Sequence, residues 1–321
     1  MQDPIYTEIT SKERPTVFAA CALILLAAAG LWLSSLLELA LPGASAAVMN
    51  LAYYLPFLAL PAALYVRRRP GLFDALRPGP LSPGAALIVA LLALVSVYAA
   101  SAVSMPWGWM LDRLGLRSGG STPTPSDSSE MALAILSMAA LPAACEELLF
   151  RGIVLSAWES RGTRRAILVT AGLFALLHGN LYGLPVYLLV GAIAGYITWA
   201  LDSLYAGIVY HTVYNAACLV LPWLLYRDGA TQAAAEAAEA SAGAFVLALQ
   251  LGFEVMLIFS MLAALMYLVR LRAERAGLTP IPRIPSSLSR PEKTMLGAAL
   301  AEMTVSLAVL TAIASLAGGG A

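Results

Sequence analysis

Apolar residues run unbroken along this chain over stretches long enough to cross a bilayer, and the polar residues collect between them. Nine such stretches fall at roughly 16–41, 47–66, 85–105, 131–157, 164–179, 184–201, 203–225, 244–269 and 295–317, judged against the roughly 20 residues a helix needs to span the hydrocarbon layer. The runs are continuously apolar and do not alternate, which selects helices over the strands of a barrel. The fifth and sixth are short and read as tilted or partly spanning. The pattern predicts an all-α fold: a polytopic transmembrane helical bundle of about 8–9 helices. Residues 1–321 form one multispanning membrane domain with no internal repeat.

Composition agrees with the pattern. Of 321 residues, 60% are hydrophobic and 12% charged, about half the charged share of a soluble domain. The mean hydropathy is +0.80. Formal net charge is zero, so there is no bulk electrostatic ground for a nucleic-acid partner; the expected environment is the lipid bilayer. Cys21, Cys145 and Cys218 lie in apolar runs without paired spacing and read as small buried hydrophobes. The first apolar run is too long for a cleaved signal and reads as a span.

The placement of basic residues predicts orientation. Arg67, Arg68, Arg69 and Arg77 lie between spans two and three, and Arg161, Arg164 and Arg165 between four and five. Arg270, Arg272, Arg275, Arg283, Arg290 and Lys293 lie between eight and nine. In a nine-span chain these loops and Lys12 and Arg14 share one side, cytoplasmic by the positive-inside rule, with the N-terminus cytoplasmic in the cell membrane and the C-terminus outside. Arg113, Arg117 and Arg227 are exceptions. Ser118 to Ser129 has a linker composition, and Thr231 to Gly243 reads as an alanine-rich connection or short interfacial helix.

Ionisable residues inside spans are costly in lipid, about 2.5–3.5 kcal/mol each near the bilayer centre, and mark sites of function. Span four carries Glu146, Glu147 and Arg151. Glu147 and Arg151 are four apart and can pair on one helix face, whereas Glu146 is turned about 100° away. Both histidines of the chain are in spans: His178 in the fifth and His211 in the seventh, with Asn215 one turn beyond His211. At 1.5 Å per residue from one membrane face, Glu146 lies about 16 Å deep, His178 about 21 Å and His211 about 12 Å. Those depths let the side chains meet in a polar intramembrane cavity. Pro142, one turn before Glu146, removes a backbone hydrogen bond and predicts a kink.

The order Glu146-Glu147…Arg151, Phe174…His178, His211…Asn215 resembles the Glu-Glu-x-x-x-Arg, Phe-x-x-x-His and His-x-x-x-Asn motifs of the type II CAAX prenyl endopeptidases and their bacterial relatives, the intramembrane glutamic proteases of the CPBP family. The resemblance covers residues 146–215, with residues 131–225 as the catalytic core that carries the motifs. The family core is usually described with eight helices, so a ninth span is an addition. The resemblance implies an endopeptidase acting on a membrane-embedded or lipidated, CAAX-like protein substrate. Glu146 would be the base on a water held jointly with His178, and His211 and Asn215 would donate to the oxyanion. Glu147 and Arg151 would hold the helix geometry, and Phe174 would line the pocket. No cofactor is required in this scheme.

Three other readings compete. Glu146, His178 and His211 can serve as three zinc ligands with an open fourth position, although His-Glu-x-x-His is absent. A non-catalytic scaffold or bacteriocin-immunity protein is a second. A transporter using Glu38, Glu254 and Glu302 is a third, with no spacing relation among those glutamates.

Overall fold

The computed structural model describes residues 13–114, 125–226 and 244–278, and within them the expected helical bundle is found. Eight long helical segments follow one another, with a 3-10 turn Pro70–Leu76 between the second and third: α1 Val17–Ala40, α2 Ala46–Arg67, α3 Pro83–Arg113, α4 Ser128–Arg161, α5 Thr163–Leu177, α6 Leu184–Ala200, α7 Leu204–Tyr226 and α8 Ala244–Arg275. Among the described residues the only extended pairing is an isolated bridge between Pro78 and Ser203. Among the described residues, six helices are long and apolar enough to cross a membrane. The exceptions are α5 and α6, with 15 and 17 residues, the two stretches already short in the sequence. The ninth predicted span, 295–317, and the connection Thr231 to Gly243 lie outside the described residues.

Local chemistry sets the helix starts. Thr16, Ser45 and Ser82 each turn a side-chain oxygen onto the amide three residues on, satisfying a donor that the first turn leaves free. Pro83 follows its cap at the first helical position of α3, where a missing N–H costs nothing. Helix α3 then runs through Pro106 to Arg113, so it is longer than the predicted 85–105 and takes Arg113 into a helix. Asp127 caps α4, accepting from the amides of Ser129 and Glu130. Ser128 and Ser129 therefore belong to α4, not to the preceding linker.

Two apolar cores divide the bundle. One joins α1, α2 and α4 with Phe174 of α5; the other joins α3, α6, α7 and α8. Outer faces stay apolar and uncovered, with Phe18 85% and Trp32 78% exposed, the disposition expected against lipid. Cys145 is buried as expected, but Cys21 and Cys218 lie on exposed faces, because lipid accepts a thiol-sized apolar group as readily as a core does.

Arg77 departs from its reading as a loop charge. It is buried, in the left-handed region at φ 55°. Its guanidinium donates to Ser156 Oγ at 3.2 Å, bonds the Glu159 carboxylate and lies 3.1 Å from Asp202 Oδ1. Arg14 holds the other oxygen of Glu159 at 3.1 Å. One carboxylate thus ties the start of α1 and the α2–α3 connection to the end of α4, and Asp202 adds the α6–α7 turn.

Candidate active site

Helix α4 is not a uniform α-helix. Two π-helical turns, Ile135–Ala140 and Leu148–Val154, flank the α-helical stretch Leu141–Glu147. The first precedes Pro142, which has no N–H to give, and the Leu141 amide reaches back five residues to Leu136 O. The backbone defect expected at Pro142 is absorbed as a π-turn, a feature often found at functional sites. Between the two turns stand Glu146, 5% exposed, and Glu147, fully buried.

Glu147 is held from two sides. Arg151 Nη1 donates to Glu147 Oε1 at 2.6 Å, and His211 Nδ1 lies 2.9 Å from the same oxygen. An ionised carboxylate only accepts, so Nδ1 is the protonated nitrogen. Arg151 Nη2 donates to Gly191 O at 2.9 Å, and its guanidinium stacks over the Phe174 ring at 4.7 Å. Gly191 also sits where α6 packs closely on α5: a Cβ there would press to 3.2 Å on Ala171 Cα and Phe174 Cδ1, so a larger residue would have to displace these neighbours slightly. A buried charge pair is costly unless its remaining donors and acceptors are met; here Gly191 O and His211 Nδ1 meet two of them, while Glu147 Oε2 and Arg151 Nε are buried without a hydrogen-bond partner.

Glu146 faces a cavity of about 230 Å³. Its lining includes Glu146, Phe174, His178, His211 and Asn215, so α4, α5 and α7 bring these five residues together. Glu147 and Arg151 stand behind it. Glu146 Oε1 accepts from the Tyr54 hydroxyl at 2.8 Å. Its Oε2 is buried without a hydrogen-bond partner and lies 3.9 Å from His211 Nε2, outside bonding distance. His178 caps the end of α5. Its Nδ1 lies 2.7 Å from Phe174 O, and its ring stacks on Tyr187 with centroids 3.9 Å apart. A carbonyl oxygen only accepts, so Nδ1 carries the proton and a neutral His178 presents Nε2 as an acceptor. Phe174 meets both histidine rings edge-on, at 4.6 and 5.7 Å.

Tyr54, Asn50 and Tyr187 also line the cavity and were not singled out in the sequence. Asn50 and Tyr54 are one turn apart among apolar neighbours, a polar signal in its own right, but nothing local says that their face meets α4. Among the described residues, no group of three His, Cys, Asp or Glu side chains is arranged to hold a metal ion. The set Glu146, His178 and His211 therefore does not form a ligand cluster in this geometry. Glu38 and Glu254 belong to α1 and α8 and do not line the cavity; Glu302 lies outside the described residues.

No curated protein and no solved structure matches the chain. A family model, type II CAAX prenyl endopeptidase Rce1-like, matches residues 128–217. That segment begins with the first turn of α4 and ends just beyond Asn215, so it contains all three polar motifs and the three helices that carry them to the cavity. Through residues 128–217, somewhat over a quarter of its length, the chain is similar to the type II CAAX prenyl endopeptidases.

Proposed function

We propose that this protein is an intramembrane endopeptidase that hydrolyses a peptide bond in a membrane-embedded or lipidated, CAAX-like protein substrate, using water activated by Glu146. One observation carries the reading: a buried carboxylate oxygen, Glu146 Oε2, has no hydrogen-bond partner in a cavity shared with His178, His211 and Asn215. Such an oxygen is equipped to take a proton from water, the work of a general base.

His178, with its proton committed to Phe174 O, offers Nε2 as an acceptor and would hold the same water. The water's oxygen attacks the scissile carbonyl while Glu146 takes its proton. The carbonyl electron pair moves to oxygen, and Glu146 then returns the proton to the leaving amine as the C–N bond breaks. His211 and Asn215 would donate to the oxyanion. With Nδ1 bound to Glu147, His211 donates through Nε2 as the imidazolium, and the charges of Glu146, Glu147, Arg151 and His211 then sum to zero. Fixed donors in a dry site contribute about 2.7–4 kcal/mol each to such a transition state. No metal takes part in this scheme. The basic loops and N-terminus would face the cytoplasm, in the cell membrane, by the positive-inside rule.

The test is cleavage of a panel of prenylated and transmembrane peptides by detergent-purified protein, with and without a zinc chelator. The wild type should cleave at least one, Glu146→Gln should lose about 10²-fold or more in rate, and chelation should change nothing. Loss on chelation would replace this mechanism by a zinc one. Folded wild-type protein that cleaves nothing would favour a binding or immunity role.

A further inference from the structure

The α2 helix reaches the cavity through two polar side chains one turn apart, and both bind α4. Asn50 Nδ2 donates to Ser137 O at 3.0 Å. That carbonyl lies in the first π-turn and has lost its usual donors. The Leu141 amide is engaged with Leu136 O, and the next amide in line is absent because residue 142 is proline. Asn50 therefore satisfies a backbone acceptor that the π-turn orphans, a requirement in a segment without water. One turn on, Tyr54 donates to Glu146 Oε1 at 2.8 Å. Its own helix becomes π-helical immediately afterwards, over Leu55–Ala59, with Pro56 inside the turn.

We propose that Tyr54 is a positioning residue for Glu146, with Asn50 fixing the register of α2 on α4 so that the hydroxyl reaches the carboxylate. The proposal rests on the peptidase reading above for its effect on rate, but not for the hydrogen bond itself. The terminal torsion of a glutamate is broad and nearly two-fold, so an unrestrained carboxylate turns freely. With His211 Nε2 only 3.9 Å from Oε2, a freed Glu146 would swing into a direct ion pair with His211 and withdraw both groups from substrate. Tyr54 occupies Oε1 and leaves Oε2 in the cavity. A hydrogen bond to a charged group is among the stronger kinds in proteins, which makes one hydroxyl sufficient.

Two readouts on detergent-purified full-length protein test this. In the cleavage assay, Tyr54→Phe should lower kcat about 10- to 100-fold with KM unchanged, and with thermal unfolding close to wild type. Asn50→Ala should lower kcat in the same direction. The infrared difference between wild type and Glu146→Gln isolates the Glu146 carboxylate bands, and these should shift in Tyr54→Phe. Tyr54→Leu makes both comparisons if the phenylalanine variant folds poorly. An unchanged kcat in folded Tyr54→Phe, or a rise in KM alone, would overturn the proposal. So would unshifted carboxylate bands, which need no substrate and decide the matter even if the wild type cleaves nothing.

Discussion

His211 Nδ1 lies 2.9 Å from Glu147 Oε1, so the second glutamate of the pair reaches beyond its own helix. Read along the chain, Glu147 is the partner of Arg151; in the fold it also fixes which nitrogen of His211 faces the cavity. Removing its charge therefore acts twice. Glu147→Gln strands Arg151, fully buried, and breaking a buried pair costs about 3–5 kcal/mol. It also takes the anion from behind His211. The expected outcome is a large fall in thermal stability together with loss of cleavage. The double variant Glu147→Gln/Arg151→Met should recover much of the stability and none of the activity. Thermal unfolding in detergent beside the peptide assay separates the two effects; recovery of both would mean that Glu147 is structural only.

Gly207 of α7 packs directly against Glu147. A Cβ on it would lie 2.5 Å from Glu147 Oε2 and 2.6 Å from Thr198 Oγ1, distances that real Cβ atoms do not adopt. Gly207→Ala must displace the Glu147 carboxylate or separate α7 from α4, and overpacking of this kind costs about 1–3 kcal/mol. Cleavage should fall more than stability does, because His211 sits four residues on in the same helix. A Gly207→Ala protein with wild-type activity would show that the site tolerates such a shift.

Contacts within one helix are legible from sequence, and so is the meeting of Glu146, His178 and His211 at a shared depth; which individual side chains touch across helices is not. The pairing of Glu147 with Arg151 follows from their spacing alone. The contact of Tyr54 with Glu146 spans 92 positions and depends on which face of α2 packs on α4, which a continuously apolar helix does not declare. Pro142 marked a backbone irregularity without saying that it would be taken up as a π-turn. From sequence Arg77 is expected to be a cytoplasmic loop charge, because a basic residue between two spans usually is one. Its burial follows from carboxylates contributed by α4 and the α6–α7 turn, neither of them near in sequence. The shortness of α5 and α6, by contrast, was visible directly in the length of their apolar runs.

The Arg77 clasp gives a comparison of two ion pairs that share one carboxylate. Arg77 is about 9% exposed at its side chain and Arg14 27%. Glu159→Ala leaves Arg77 buried with only Ser156 and the half-exposed Asp202 as partners, and should destabilise by about 3 kcal/mol or more. Arg14→Ala removes the more exposed partner and should cost about 1 kcal/mol or less. The thermal unfolding order should be wild type, then Arg14→Ala close behind, then Glu159→Ala well below. Equal effects would mean that Arg77 finds another partner when Glu159 is gone.

Asp127 supplies a pH dependence outside the membrane-spanning segments. The Ser129 hydroxyl, and then the amides of Glu130 and Ser129, hold its carboxyl below the ordinary carboxylate value. A group depressed on folding stabilises the folded state above its unfolded pKa, and that contribution disappears as pH falls through the folded value. Its loss therefore lies on the acid side of the ordinary aspartate range and frees the first amides of α4. Asp127→Asn keeps a side-chain acceptor for those amides without a titrating proton. Thermal unfolding measured against pH should show wild type losing ground to Asp127→Asn as the pH falls below the usual aspartate range, with the small amplitude expected of an exposed group. Parallel curves across that range would show that the cap contributes equally whether or not Asp127 is ionised.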